Sequence, residues 1–346
     1  MPLKIILMPS IFVLLFLSCQ EAEHEQRIMT VNGAIFSSDL GVTLIHEHVL
    51  VDWIGADSTG YHRWDRADVA ERVLPYLMEA AGRGVDAIGE FTPAYLGRDP
   101  FILLELSRRT GMYLITNTGF YGAVDNRFIP AYAYDETSAE IAARWIDEFH
   151  NGIDGSGVRP GFMKISVAEH SELSPLHQKI VEAAAMTHIE TGMTIFSHTI
   201  GDIPALAQIE LLEQLGLKPS SWVWTHAQTG TIEANIRLAE KGAWISLDNV
   251  MFDPSRDEGQ EGSIDWYKDR IIALRDAGHL NKILISHDAG WYDVGEPNGG
   301  GYRGYTDIFD FLISRLLESG LTDEEIEQLL VKNPADVFSL RIRSAK

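Results

Sequence analysis

The chain has 346 residues, 45% of them hydrophobic, enough for one large core or two ordinary ones. Fifty acidic residues against 28 basic ones leave a formal charge of −22. A chain this acidic is not expected to hold nucleic acid, and no apolar run in its body is long enough to span a bilayer.

The first element is an export signal. MPLKIILMPSIFVLLFLSCQ carries one positive charge, Lys4, then an apolar stretch, then Ser18 before Cys19. Cys19 is the only cysteine, so a disulfide within one chain is impossible. Phe16-Leu17-Ser18-Cys19 resembles a bacterial lipoprotein signal, with Phe16 where leucine is usual. The resemblance implies an exported protein, periplasmic or on the outer surface of a bacterium. Its only membrane attachment would be a lipidated Cys19. The alternative is an ordinary cleaved signal. Residues 1–19 are thus read as signal, 20–28 as a polar tether, and 29–346 as the folded body.

The body opens with IMTVNGAIFSSDLG, a hairpin expected to turn at Asn32-Gly33 and to plug one end of the fold. Eight short β-rich runs follow: 42–48, 85–91, 112–118, 161–167, 193–198, 222–226, 243–248 and 282–288. Amphipathic stretches lie between them. The first has Val69, Val73, Leu74 and Leu77 at the spacing of one helix face. Gly84, Gly111, Gly192 and Gly242 follow helices just before the next strand, where a left-handed cap is needed. Eight strand–helix units in one chain predict an α/β fold, a (β/α)8 TIM barrel with a small N-terminal hairpin. No glycine-rich phosphate loop follows the first strand, as a doubly wound sheet would have, and no linker marks a second domain.

Catalytic groups of such a barrel sit at the C-terminal ends of its strands. The first strand ends His46-Glu47-His48, with both histidines on one face and Glu47 on the other. Lys164 lies in the fourth strand, His198 ends the fifth, His226 the sixth and His287-Asp288 the eighth. The seven histidines elsewhere are read as solvated or core residues. Each rim residue has an ordinary explanation alone: Lys164 as a snorkelling side chain, His198 and His226 as satisfied core histidines, Asp288 as a helix cap. Together they would crowd one rim, where repulsion and desolvation need a cation to offset them. A lysine ammonium has no lone pair for a metal. A buried, neutral lysine can instead take up carbon dioxide as a carbamate, an oxygen ligand able to bridge two metals.

These stretches, with LGVTLIHEH, GRDP, TGFY, PGFMK, FSHT, WTHAQ, SHDAGW and the terminal KNPA, resemble the phosphotriesterase family of the amidohydrolase superfamily. The resemblance runs in order from about residue 28 to the C-terminus. It implies that His46, His48 and Asp288 hold one metal and that His198 and His226 hold a second. Carboxylated Lys164 and a water or hydroxide would bridge the two. Tyr121 matches a tyrosine that hydrogen-bonds the substrate carbonyl in lactonase members. Two positions depart from the pattern: Gln228 where an aspartate is frequent, and Asn249 where one lactonase branch has arginine. Both are expected to affect substrate choice more than metal binding.

The implied cofactors are two divalent ions, zinc by default for nitrogen and carboxylate ligands, with manganese or cobalt also fitting. Such a pair supplies hydroxide near neutral pH, with Asp288 as general base, while His287 faces away, either supporting the ligands from behind or in a structural role. Trp53, Tyr95, Tyr121, Trp291, Tyr292 and Tyr302 are expected around the rim, half of them as loop packing. Residues 290–305, with six glycines and four aromatics, have the composition of a mobile lid. The loop after strand seven sets Asp253, Asp257, Glu258 and Glu261 against Arg256. That acidity favours an uncharged small-molecule substrate, a neutral lactone or carboxylic ester, possibly sugar-derived, over a phosphorylated one. The alternative reaction is phosphotriester hydrolysis, and the alternative class is a lipoprotein binding module without catalysis. Oligomeric state is not legible, and the resemblance allows a homodimer.

Overall fold

The computed structural model describes residues 26–345. The signal, Cys19 and the tether as far as residue 25 lie outside the described residues. A first strand, Arg27–Thr30, pairs antiparallel with Gly33–Phe36. Arg27 and Ile28 therefore belong to this hairpin rather than to the tether expected through residue 28. The turn centres on Val31-Asn32, one residue earlier than expected. There the Thr30 hydroxyl donates to Gly33 O at 2.8 Å and accepts from Asn32 N at 3.2 Å.

Eight parallel strands follow: Thr43–Glu47, Ala87–Glu90, Tyr113–Ile115 (resumed as Asn117–Thr118), Phe162–Ser166, Ile195–His198, Trp222–Thr225, Trp244–Asp248 and Ile283–Ser286. Each pairs with the next in sequence. The third strand breaks at Thr116, so its first half pairs with the second strand and its second half with the fourth. The seam between first and eighth strands is closed by His46 N to Ser286 Oγ at 3.0 Å, Asp288 N to His46 O at 3.1 Å and His48 N to Ala289 O at 2.8 Å. The fold is the expected (β/α)8 barrel.

Sequence chemistry sets the helices. Asp65, Asp99, Thr137, Ser174, Thr231 and Ser263 accept backbone N–H groups at helix starts. Gly111, Gly192 and Gly242 end helices in the left-handed conformation. The first helix, Arg66–Gly82, buries Val69, Val73 and Leu77, with Leu74 only half-buried. No described helix is long and apolar enough to cross a membrane. The barrel interior is filled by inward residues such as Ile45, Phe162, Phe196, Val223 and Leu284. Ile28 from the hairpin and Phe338 from the C-terminal helix join the same cluster and close the lower end. Leu340 N donates to Arg27 O at 2.9 Å, tying the two terminal segments together.

Candidate active site

Alternation along the first strand sorts its polar end into two clusters. Glu47 turns outward and accepts from Ser286 Oγ at 2.7 Å, His287 Nδ1 at 2.7 Å, His287 N at 3.0 Å and Ala289 N at 2.9 Å. Nε2 of His287 then accepts from Ile308 N at 3.1 Å. Burial alone would raise the Glu47 pKa, but His287 and these donors hold it below the usual carboxylate value. This latch spends its hydrogen-bonding capacity on the seam, and His287 has the structural place expected of it.

His46 and His48 turn inward. They line a small pocket with Lys164, His198, His226, Asp288 and Tyr121, so every expected site residue reaches one place. His46 Nε2 lies 3.2 Å from His48 Nε2, and Asp288 Oδ1 lies 3.4 Å from the first and 3.0 Å from the second. His46, His226 and Asp288 offer donor atoms within 4.8 Å of one another. The ring of His198 stands edge-on to His226 at 4.5 Å, and the Tyr121 hydroxyl lies 3.3 Å from His198 Nδ1. Lys164 is buried with its amine making no hydrogen bond, 4.7 Å from the Phe91 ring centre.

Two residues that the rim pattern did not single out decide which nitrogens are free. Asp248, fully buried at the end of the seventh strand, lies 2.9 Å from His46 Nδ1 and 2.7 Å from His226 Nδ1. Burial would raise its pKa, but His226 and His46 beside it hold it well below the usual carboxylate range. An ionised carboxylate only accepts, so both Nδ1 atoms carry the proton and both Nε2 atoms keep a lone pair. Thr92 gives its one hydroxyl hydrogen to Leu50 O at 2.9 Å, so it accepts from His48 Nδ1 at 2.8 Å. His48 Nε2 is therefore also bare. Three lone-pair donors, Nε2 of His46, Nε2 of His48 and Oδ1 of Asp288, face one another at 3.0–3.4 Å. Ligands about 2.1 Å from one tetrahedral cation stand roughly 3.4 Å apart, so the donor set fits a divalent ion.

The protonation states of His46, His48, His198 and Lys164 agree with that chemistry, and His226 is the exception. Burial, then Lys164, pulls His46 down to about 4, and burial lowers His48. Burial, with His226 and Lys164 nearby, lowers His198 well below the ordinary value. For His226 burial also works downward, but Asp248 outweighs it and the net shift is up. Burial brings Lys164 down to about 8, so a useful fraction of neutral amine exists near neutral pH. Burial would raise Asp288, yet the three surrounding histidines hold it far below the carboxylate range, always ionised. Backbone strain gathers at the same rim: His226 (φ 65°), Asn249 (91°), Asp288 (51°) and Trp291 (75°) are all left-handed.

A model of the phosphotriesterase family matches residues 26–338. The chain belongs to the phosphotriesterase family. It is 28% identical over 304 residues to the phosphotriesterase homology protein of Escherichia coli K12, covering 86% of this chain and 98% of that one. It is 29% identical over 315 residues to the aryldialkylphosphatase of Saccharolobus solfataricus, covering 88% and 97%. A solved structure described as organophosphate hydrolysis activity engineered from a weak promiscuous lactonase template superposes with a TM-score of 0.80, at 26% identity over 90% of this chain and all of that one. The protein is a phosphotriesterase-family hydrolase acting on ester bonds.

The rim aromatics divide half and half, as expected, and the loop expectations that follow need correction. Of the six rim aromatics, Trp53, Tyr121 and Trp291 line the metal pocket, Tyr95 lines another cavity, and Tyr302 is buried behind the rim. Residues 290–305 do not form a free lid. Tyr292 and Asp293 pair with Leu50 and Val51, Gly290 pairs with Arg303, and Tyr305 OH donates to His48 O at 2.8 Å. A side chain at Gly290 would collide with His48 O, so this glycine serves a close approach rather than mobility. None of the acidic residues 253–261 lines the metal pocket, because Asp253 turns back onto Ser255 and Arg256 within its own loop. Gln228 and Asn249 do not line it either. The Gln228 amide donates to Asp248 O and, at 3.2 Å, to Asp248 Oδ1, so its departure bears on ligand support rather than on substrate walls.

Proposed function

We propose that this hydrolase is a binuclear metal enzyme that opens a neutral lactone or carboxylic ester. His46, His48 and Asp288 would hold one divalent ion, His198 and His226 the other, and Lys164, carboxylated, would bridge them, with zinc favoured and manganese or cobalt compatible. Bound there, the ions supply an activated water near neutral pH and polarise the oxygen of the bond attacked. The chain does the rest. Asp288, held ionised by the surrounding histidines, would accept a proton from the attacking water and hand it to the departing alkoxide oxygen. Tyr121, kept protonated by burial and by nearby Asp288, donates its hydroxyl to the substrate carbonyl. Trp53, Pro93, Leu96 and Trp291 form an apolar mouth that excludes bulk water.

The observation that carries this reading is the convergence of three lone-pair donors beside the unpartnered amine of Lys164. An uncharged substrate is supported by a lining in which Lys164 is the only arginine or lysine. The lactonase template among the solved relatives favours the lactone. The aryldialkylphosphatase relative favours the second reading, a phosphotriester, which is equally uncharged. Metal-loaded enzyme should turn over neutral lactones with a kcat/KM at least about tenfold above that for phosphotriesters, a difference of about 1.4 kcal/mol. The reverse order, or a preference for a phosphorylated lactone, overturns the substrate assignment. Export with lipid attachment at Cys19 is proposed from the signal alone, and labelled fatty acid incorporated into the parent but not into Cys19→Ala would support it. Homodimer formation is proposed from family resemblance, and sedimentation at the monomer mass would reject it.

A further inference from the structure

His177 is one of the histidines away from the rim, in the first turn of the helix Pro175–Thr191, and it is 2% exposed. Ala168 N donates to its Nδ1 at 3.4 Å. A backbone N–H only donates, so Nδ1 keeps its lone pair and Nε2 carries the proton. That proton faces Gly122 O at 3.1 Å and Asn126 Oδ1 at 2.8 Å. Ser174 Oγ lies 3.0 Å from Nδ1 and accepts from His177 N at 3.2 Å, which fixes the ring from behind.

The ring grips the loop that carries Tyr121. Tyr121 is bridged to Ser166 on one side and to Phe128 on the other, and Gly122 O is the next carbonyl along the chain. Val124, Asp125 and Asn126 then follow in succession at φ 56°, 55° and 60°. Left-handed residues other than glycine occur singly as a rule, and a run of them persists only where its surroundings hold it. Ala123 N donates to Ser166 Oγ at 2.8 Å, and Ala56 N to Arg127 O at 3.0 Å. His177 alone of these partners holds both sides of the left-handed run, at residues 122 and 126. The fit is close: a Cβ at Gly122 would stand 2.6 Å from Ser166 O and 3.0 Å from the imidazole. At the other end of the Tyr121 side chain, the hydroxyl lies 3.3 Å from His198 Nδ1, inside the metal pocket. An error of about 1 Å in such a group can remove most of its contribution to a reaction.

We propose that His177 is a positioning residue, which aims the Tyr121 hydroxyl by holding the backbone at 122 and the side chain at 126. The role rests on the reading of Tyr121 as donor to the substrate carbonyl. A double-mutant cycle on the metal-loaded full chain, with p-nitrophenyl acetate as substrate, tests it. Tyr121→Phe should lower kcat/KM about tenfold, the loss of one hydrogen bond, and His177→Ala about three- to fivefold. The double variant should match Tyr121→Phe to within about twofold, because a hydroxyl that is absent cannot be misplaced. His177→Gln, which keeps an N–H for Gly122 O, should recover most of the loss, with equal metal content throughout. Hydrogen exchange gives a reading without turnover: amides 121–127 should exchange faster in His177→Ala and not in His177→Gln. Should His177→Ala fail to fold, Asn126→Gly removes one acceptor of the ring, tolerates the left-handed backbone and enters the same cycle. Losses that multiply in the double variant, or unchanged exchange at 121–127, overturn the positioning role and leave Tyr121 its hydrogen bond. Full activity in Tyr121→Phe removes that hydrogen bond and the positioning role with it.

Discussion

Two clusters of histidine and carboxylate sit one residue apart in sequence and behave in opposite ways. Glu47 and His287 face out of the barrel and satisfy each other and the surrounding backbone. His46 and Asp288, their immediate neighbours, face inward with His48, Lys164 and His226, and their lone pairs meet without a proton between them. Composition, burial and strand position are nearly the same in both. What separates a structural cluster from a chemical one is the polar capacity left over after the protein's own hydrogen bonds are counted. Asp248 and Thr92 create that surplus by consuming the Nδ1 side of three imidazoles.

The contrast can be attacked from either side. The largest effect is expected from Lys164→Ala, which should lose metal and turnover together, with added short carboxylic acids restoring part of both. Full metal content by elemental analysis in that variant would end the bridging role. Asp288→Asn keeps the shape but removes basicity, and kcat should fall about 10²- to 10⁴-fold with a much smaller change in KM. Near-normal turnover would remove Asp288 from proton transfer. On the latch side, Glu47→Ala breaks a buried pair and should cost about 3–5 kcal/mol of folding stability by denaturant titration. The protein that remains folded should keep its metal, and metal loss at unchanged stability would dissolve the distinction between the clusters. Asp248→Asn should weaken metal affinity roughly 10- to 100-fold in competition with a chelator, as other outer-shell substitutions do. The smallest effect concerns pH. Glu47 is held below its ordinary value of 4.5, so its stabilisation is complete above that pH and is lost as pH falls through the lower folded value. Glu47→Gln should flatten that part of the acid limb, and an identical limb in the variant would show that Glu47 contributes nothing to it.

The barrel was legible because glycine caps, apolar alternation and helix stripes repeat at short range, and each is a local signal. The rim residues were legible for the same reason: a histidine pair at i and i+2, then single polar residues at successive strand ends, needs only strand direction to be read. Asp248 ends the seventh strand and carries the same local signal, but its role, like that of Thr92, is set by a partner far away in the chain. Asp248 meets His46 across 202 residues of sequence, and Thr92 meets His48 across 44. The loops were misread for a related reason. Six glycines between 290 and 305 look like freedom, yet Gly290 is there to pass close to His48 O, and Tyr305 stitches the segment to the same carbonyl. Acidic residues 253–261 look like a substrate wall, but charge count does not say where a loop points. Asp253 spends its oxygens on its own turn.

Trp291 stacks on the His48 ring at 3.9 Å and 26°, donates its indole N–H to Asp288 O at 2.8 Å, and carries Trp53 stacked on its far side at 5.4 Å. An indole excited state is sensitive to the charge on an imidazole beside it and to the polarity at its N–H. The protein thus contains an optical probe wired to two of its metal-ligand candidates. Of its eight tryptophans, Trp145, Trp222, Trp224 and Trp244 are buried elsewhere and give a steady background. Loading or stripping a cation places or removes a positive charge at His48 Nε2, under the indole ring, and the ultraviolet emission of Trp291 should then follow occupancy of the pocket in real time, without a label and without turnover.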